Sequence, residues 1–134
     1  ARTAVGELGG IDVVIANAGV FAAAKSWETD DATYHAVIDV NLHGAWHTAK
    51  ATLPHLRQRD SGSMVFVSSI AGVKGIDHLS AYAASKHGIV GLMRTLAVDF
   101  PEIERVQILV DGLEVETLGG HLDLTRPLRT GDWL

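Results

Sequence analysis

Two short apolar runs limit the fold that this chain can adopt. Residues 11–16 read Ile-Asp-Val-Val-Ile-Ala and residues 64–67 read Met-Val-Phe-Val, and a long segment with helical spacing lies between them. The first run is rich in β-branched residues and is bounded by glycines, which predicts a buried parallel strand. A third apolar run, 105–110, follows a second helical segment. This alternation predicts an α/β protein with a parallel sheet and right-handed connections.

The segment between the first two strands predicts one interrupted helix. Asp30 or Asp31 can cap its start, and apolar residues at helical spacing continue to about Arg59. We expect a break near Asn41. Pro54 could bend or loosen the helix, because proline has no main-chain N–H to donate.

The second helix, predicted over about 80–100 and ended by Pro101, carries an informative pair of side chains. Tyr82 precedes Lys86 by four residues, so the ammonium can lie near the phenolic oxygen on one helix face. A positive charge there favours the phenolate, which suits the phenol to general acid–base chemistry. On spacing alone, an exposed pair without a function is the alternative interpretation.

Composition limits the classes of function. The 134 residues are enough for one domain with a core. A net charge of −5 without a basic cluster argues against nucleic acid and anionic membranes as partners. There is no cysteine, and we find neither a signal peptide nor an apolar run near the ~18 residues of a membrane span. We therefore expect a cytoplasmic protein.

The seven histidines raise the question of a metal site. His43 and His47 lie one helical turn apart without a glutamate between them, and the others are scattered. Helical histidine pairs of this kind are more often exposed or packed side chains, so we expect no metal. His78, in the loop before Tyr82, could instead face a substrate.

Four motifs in a fixed order resemble the short-chain dehydrogenase/reductase family. They are Asn17-Ala18-Gly19, Asp39-Val-Asn41-Leu, Val67-Ser-Ser69-Ile-Ala-Gly72 and Tyr82-Ala-Ala-Ser-Lys86. The resemblance covers about 10–100, and residues 45–48 and 86–98 resemble the carveol-dehydrogenase-like branch. It implies a Rossmann-like parallel sheet with flanking helices, as a partial NAD(P)-binding domain over 1–134. Residues 113–134 match nothing in the pattern and stay unassigned.

The resemblance implies an NAD(P)-dependent oxidoreductase that interconverts a secondary alcohol and a ketone. Tyr82 would exchange a proton with the substrate oxygen, and Lys86 would assist Tyr82 and hydrogen-bond the nicotinamide ribose. Ser69 would hold the substrate oxygen, and Asn41 would anchor a water that links Lys86 to solvent. A turn-forming serine and an ordinary helix-boundary asparagine are the structural alternatives for these last two residues.

The resemblance also implies the cofactor residues and the partners. Asn17, Ala18 and Gly19 would border the cofactor together with Tyr82 and Lys86, although a plain turn after the strand is the alternative for the first three. The cofactor would be NAD or NADP, with NAD slightly favoured. A small alcohol or ketone is the expected substrate, and helices that pair between subunits would give a homo-oligomer if the protein is full-length.

The start of the chain departs from the family pattern. The family opens with a strand, a Gly-x-x-x-Gly-x-Gly turn and a helix, whereas Gly6, Gly9 and Gly10 precede the first strand here. We therefore expect the N-terminal β-α-β portion, about 70 to 80 residues with the phosphate site, to be missing. Residues 11–16 would then form an unpaired apolar edge, which predicts poor solubility or stability of these residues alone. The alternative function is a catalytically silent remnant or an association-only subunit.

The segment after the second helix leaves two interpretations open. Residues 106–112 can be the strand that precedes the family's nicotinamide-contacting threonine, with the usual proline absent and Thr117 one residue late. Alternatively, they resemble the family's last strand, which ends in Val-Asp-Gly, and the substrate-loop region would then be deleted.

Overall fold

The structure is a computed structural model, and it describes residues 1–100, 103, 107, 109–110, 113–114, 117–118 and 122–123. The chain divides into two units, 1–90 and 91–134. All of the candidate site residues lie in the first unit.

Three helical stretches follow one another between the two strands of the first unit. They are α2 (Asp31–Ile38), a π-helical segment (Asp39–His43) and α3 (Gly44–Leu56). The expected break near Asn41 is thus confirmed as a π-helical segment, in which the regular i→i−4 pairing is interrupted. Pro54 lies inside α3.

Asp30 begins α2 as the sequence predicts. Its Oδ1 accepts a hydrogen bond of 2.7 Å from the main-chain N–H of Thr33, and its Oδ2 accepts one of 2.9 Å from the Thr33 hydroxyl. The main-chain bond from Thr33 is the largest cause of a pKa of Asp30 below its usual range. The cap satisfies an N–H group that has no partner within the helix.

The strands β1 (Val13–Ala16) and β2 (Ser63–Phe66) pair in parallel, with Val13 opposite Ser63 and Ala16 opposite Phe66. The main-chain N–H of Val67 donates to the Ala16 carbonyl over 3.1 Å, which extends the ladder past the end of β2. Because the carboxyl ends of parallel strands meet at one edge of a sheet, the segments that follow β1 and β2 leave the sheet side by side.

The expectation that residues 11–16 form a buried strand is wrong in two respects. The strand begins at Val13, and its side chains alternate between partly buried and exposed. Helix α3 packs against the strands, whereas Val13 and Ile15 are 60% and 62% exposed on the other face and Val65 is 43% exposed. Successive side chains of a strand point to opposite faces, so covering one face buries only alternate residues.

Two further helices belong to the chain. Helix α1 (Arg2–Leu8), which the sequence reading did not predict, ends at Gly9 in the left-handed conformation with φ 77°. Helix α4 spans Ser80–Asp99, close to the prediction of 80–100. None of the helices in the described residues is long and apolar enough to cross a membrane.

The third predicted strand, 105–110, lies mostly outside the described residues. Its last two residues form β3 (Leu109–Val110), which pairs antiparallel with β4 (Leu113–Glu114). The expectation of a parallel strand is therefore wrong for these two residues, because their partner strand runs in the opposite direction. Farther along, β5 (Thr117–Leu118) and β6 (Leu122–Asp123) form a second antiparallel pair.

A short 3-10 turn (Ile70–Gly72) between β2 and α4 packs tightly against α4. A Cβ atom added at Gly72 would lie 2.9 Å from the main-chain oxygen of Lys86 and would overlap the hydroxyl of Ser68. No side chain fits there without a shift of the main chain. Glycine at this position therefore lets the turn approach the helix that carries Tyr82.

We predict that Gly72→Ala destabilises the protein, whereas Gly6→Ala does not. The added methyl group at position 72 meets main-chain atoms, and overpacking of this kind lowers stability by roughly 1–3 kcal/mol. Gly6 lies within α1 with open space around its Cβ position, so alanine there should add up to ~1 kcal/mol through helix propensity. Urea unfolding of the two purified variants measures the difference, and equal midpoints would contradict the packing argument.

Candidate active site

Lys86 lies almost completely buried in α4, at 3% exposure. Its Nζ donates a hydrogen bond of 2.8 Å to the main-chain carbonyl of Val67, at the end of β2. The same atom lies 5.5 Å from the centroid of the Tyr82 ring, as the four-residue helical spacing leads one to expect. Removal from solvent lowers the pKa of Lys86, because burial disfavours the charged form of an amine.

Tyr82 is partly buried and faces the loop that follows β1. Its ring meets the ring of Phe21 edge to face, with the centroids 6.2 Å apart and an angle of 73° between the planes. Phe21 itself is 70% exposed. The phenol therefore lies between a buried amine on its own helix and an exposed aromatic residue on the neighbouring loop.

Asn41 is fully buried in the π-helical segment, at 0% exposure. Its Oδ1 accepts a hydrogen bond of 2.8 Å from the main-chain N–H of Val20, and its Nδ2 donates one of 2.9 Å to the Val20 carbonyl. Nδ2 also donates to the hydroxyl of Ser85, over 2.9 Å. Both amide hydrogens are thus used, and the side chain holds the loop after β1 against α4.

Ser69 caps the 3-10 turn, with its hydroxyl oxygen accepting a hydrogen bond of 3.1 Å from the main-chain N–H of Ala71. This bond uses a lone pair and leaves the O–H free to donate to another group. The neighbouring Ser68 donates to the main-chain carbonyl of Lys86 over 3.1 Å. Ser68 and Gly72 hold the turn against α4, although Ser69 itself makes no hydrogen bond to Tyr82.

Asn17, Ala18 and Gly19 are exposed at the carboxyl end of β1. A Cβ atom added at Gly19 would lie 3.5 Å from Nζ of Lys86 and 3.5 Å from Oδ1 of Asn41. A side chain at this position would therefore occupy the space beside the ammonium. Glycine places no side chain there, and the main chain at this position is exposed.

Four histidines of the described residues contact neighbours in their own segment, namely His35, His43, His78 and His87. Nδ1 of His43 lies 2.8 Å from Oδ1 of Asp39, one turn away on an exposed surface. The described part of the chain contains no group of three or more His, Cys, Asp or Glu side chains that could hold a metal ion. His78 has a positive φ of 62°, and its carbonyl accepts a hydrogen bond of 2.9 Å from the main-chain N–H of Ala24.

Sequence reasoning missed two participants in this network. Ser85 lies within the Tyr82–Lys86 motif but was given no role, and the main chain of Val20 carries no side-chain signal at all. A serine directly before the lysine of the motif, with the apolar Ala81 and Ile89 one helical turn to either side, is the signal that could have drawn attention to Ser85.

Comparison with known proteins places the chain among dehydrogenases. The short chain dehydrogenase family matches residues 1–114. The chain is 47% identical to (-)-trans-carveol dehydrogenase of Rhodococcus erythropolis over 79% of its length, and 36% identical to D-beta-hydroxybutyrate dehydrogenase of Cupriavidus necator over 73%. It covers 39% and 38% of these two proteins, respectively.

Similarity to solved structures extends to the fold. The chain superposes on carveol dehydrogenase from Mycobacterium avium, solved in complex with NAD, with a TM-score of 0.70 and 41% identity. The superposition covers 73% of this chain and 36% of that protein. This similarity confirms the predicted Rossmann-like α/β fold. Because the family match spans most of the sequence, the chain belongs to the short-chain dehydrogenase family.

Proposed function

We propose that this chain carries the catalytic residues of an NAD(P)-dependent oxidoreductase that interconverts a secondary alcohol and a ketone. The observation that carries the proposal is the buried Lys86 ammonium, with Tyr82 one helical turn before it and the exposed Gly19 beside it. A buried ionisable group of shifted pKa next to a second titratable side chain is typical of active sites. The dehydrogenases named above support the same class of reaction.

We propose that a nucleotide binds beside Lys86. The ammonium has three N–H donors, and among the described residues the Val67 carbonyl accepts from one of them. We propose that a second one binds the nicotinamide ribose, and that Tyr82 and the exposed segment Asn17-Ala18-Gly19 line the same site. When bound, the cofactor supplies or accepts the hydride. We favour NAD over NADP because the structurally similar carveol dehydrogenase was solved with NAD.

The protein side chains move and hold the proton in this proposal. Tyr82 donates its O–H proton to a ketone oxygen, or accepts the proton of an alcohol in the reverse direction. The ammonium of Lys86 stabilises the phenolate that forms when Tyr82 loses its proton. Ser69 donates its free O–H to the same substrate oxygen and holds it beside Tyr82.

The water expected at Asn41 needs a binding partner other than the N–H groups of the Asn41 side chain. Both amide hydrogens are already bonded, one to Val20 and one to Ser85. We propose that the main chain of the π-helical segment binds this water, because interrupted helical pairing leaves main-chain groups available. Lys86 would exchange protons with solvent through it.

We propose a small, uncharged alcohol or ketone as the substrate, since Phe21 presents an exposed apolar ring next to Tyr82.

The assembly of the protein into a homo-oligomer also stays a prediction. Trp46 on α3 is 42% exposed, which agrees with an additional apolar contact in an assembly.

Tyr82→Phe tests the proposal, with Tyr34→Phe as the matched control. Removal of the Tyr82 hydroxyl should lower the rate of NADH formation from a secondary alcohol by at least ~100-fold, the lower end for general acid–base catalysis. The affinity for NADH, measured by fluorescence, should stay within about twofold because the hydroxyl acts mainly in the transition state. Tyr34, the other tyrosine, lies at 38% exposure on α2, and its variant should keep full activity.

Retention of a tenth or more of the parent activity by the Tyr82 variant would refute its assigned role. Equal losses in both tyrosine variants would indicate a general loss of folded protein.

Lys86→Met should stabilise the protein near pH 7 while it abolishes turnover. Below the lowered pKa of Lys86, its amine is protonated in both the folded and the unfolded protein. The folded state then bears the full cost of burying the charge. Between that pKa and the ordinary value of 10.5, the unfolded chain binds more protons, so the stability of the parent rises with pH. The advantage of Lys86→Met should therefore shrink as the pH approaches 10.5.

Thermal unfolding between pH 7 and pH 10.5 measures this advantage, with the exposed Lys50→Met as the control. A difference between the two variants that does not change with pH would contradict a lowered pKa of Lys86.

A further inference from the structure

The hydroxyl of Ser85 links two parts of the site through a pair of hydrogen bonds. Ser85 is fully buried at 0% exposure. Its Oγ donates to the main-chain carbonyl of Tyr82 over 2.7 Å and accepts from Nδ2 of Asn41 over 2.9 Å. A hydroxyl has a single proton to donate, so Ser85 can act only as an acceptor toward Asn41.

The orientation of the Asn41 amide is fixed by main-chain groups. The N–H of Val20 requires an acceptor and the C=O of Val20 requires a donor, and Oδ1 and Nδ2 of Asn41 meet these needs. In this orientation the second amide hydrogen points to Ser85. Without the Ser85 hydroxyl, a buried donor would lose its acceptor, which is costly because solvent does not reach the side chain of Asn41.

Val20 stands between the two loop residues that approach the helix. Gly19, before it, lies beside Nζ of Lys86, and Phe21, after it, contacts the ring of Tyr82. The position of this loop relative to α4 therefore depends on the bonds that Asn41 makes to Val20. Ser85 supports those bonds, because its hydroxyl accepts the second hydrogen of the same amide.

We propose that Ser85 is a positioning residue that acts through Asn41 to hold the loop 19–21 against Tyr82 and Lys86. It touches neither substrate nor cofactor in this role. The expected effect on turnover rests on the proposed function, whereas the effect on the loop does not.

Thr52 provides a matched control for this inference. Its hydroxyl, on α3 at 8% exposure, donates to the main-chain carbonyl of Thr48 over 2.7 Å. Ser85 makes the same kind of bond within its helix, but it also accepts from Asn41. A difference between Ser85→Ala and Thr52→Val therefore reports the bond to Asn41 rather than the loss of a buried helical hydroxyl.

The test measures amide hydrogen exchange and steady-state kinetics on the purified variants. The Val20 amide should exchange about tenfold faster in Ser85→Ala than in the parent, while the Ala49 amide in the middle of α3 should not change. In Thr52→Val, the Val20 amide should exchange at the parent rate. Ser85→Ala should also lower kcat several-fold, with KM for the alcohol within about twofold.

Ser85→Cys covers the case in which the alanine variant does not fold. A thiol has nearly the same shape but is a weak acceptor, so the Val20 amide should again exchange faster, by a smaller factor. Val20 exchange at the parent rate in the variant that folds would overturn the inference, whatever the kinetics show. If the parent protein converts no alcohol, the proposed function fails and the exchange data alone decide the role of Ser85.

Discussion

The side-chain amide of Asn41 connects the three segments that make up the site. It lies in the π-helical segment, bonds to both main-chain groups of Val20 in the loop after β1, and reaches Ser85 on α4. Because the amide is fully buried, each of these bonds replaces one that water would otherwise supply, and the loss of any partner leaves a polar group unsatisfied. The requirement to satisfy one amide therefore sets the relative positions of Gly19 and Lys86.

The burial of Lys86 is unfavourable for folding but useful for the proposed chemistry. An ammonium removed from water destabilises the folded state unless it is bonded, and the Val67 carbonyl supplies one partner. The same burial lowers the pKa of the amine and holds it close to the Tyr82 ring. The 3-10 turn approaches the main chain of Lys86 closely at Gly72, and no side chain stands at Gly19, which lies beside Nζ.

Local features of this fold could be predicted from the sequence, and long-range ones could not. The Asp30 cap and the break near Asn41 depend on residues a few positions apart, so the helical pattern shows them. The bond between Asn41 and Ser85 joins residues 44 positions apart, and spacing along one helix gives no access to it. The exposure of Val13 and Ile15 was missed because it depends on which faces of the sheet other segments cover.

The motifs predicted which residues lie close together more accurately than how their side chains are bonded. Resemblance to the family led to Tyr82 and Lys86, which the structure places together on α4. The resemblance implied that Asn41 anchors a water. The side chain of Asn41 instead bonds to Val20 and Ser85, which the motif does not specify as its partners. Ser69 lies on the turn that packs against α4, with its hydroxyl bonded within that turn.

The unfolding free energy of Asn41→Asp at pH 7 tests the central role of this amide most directly. The substitution keeps the shape of the side chain but places a buried carboxylate oxygen against the Val20 carbonyl, where the parent has a donor. We expect a loss of roughly 2 kcal/mol or more, whereas the same exchange of amide for carboxylate at the exposed Gln58, in Gln58→Glu, should change stability by less than about 0.5 kcal/mol. Equal stability of the two variants would contradict the account.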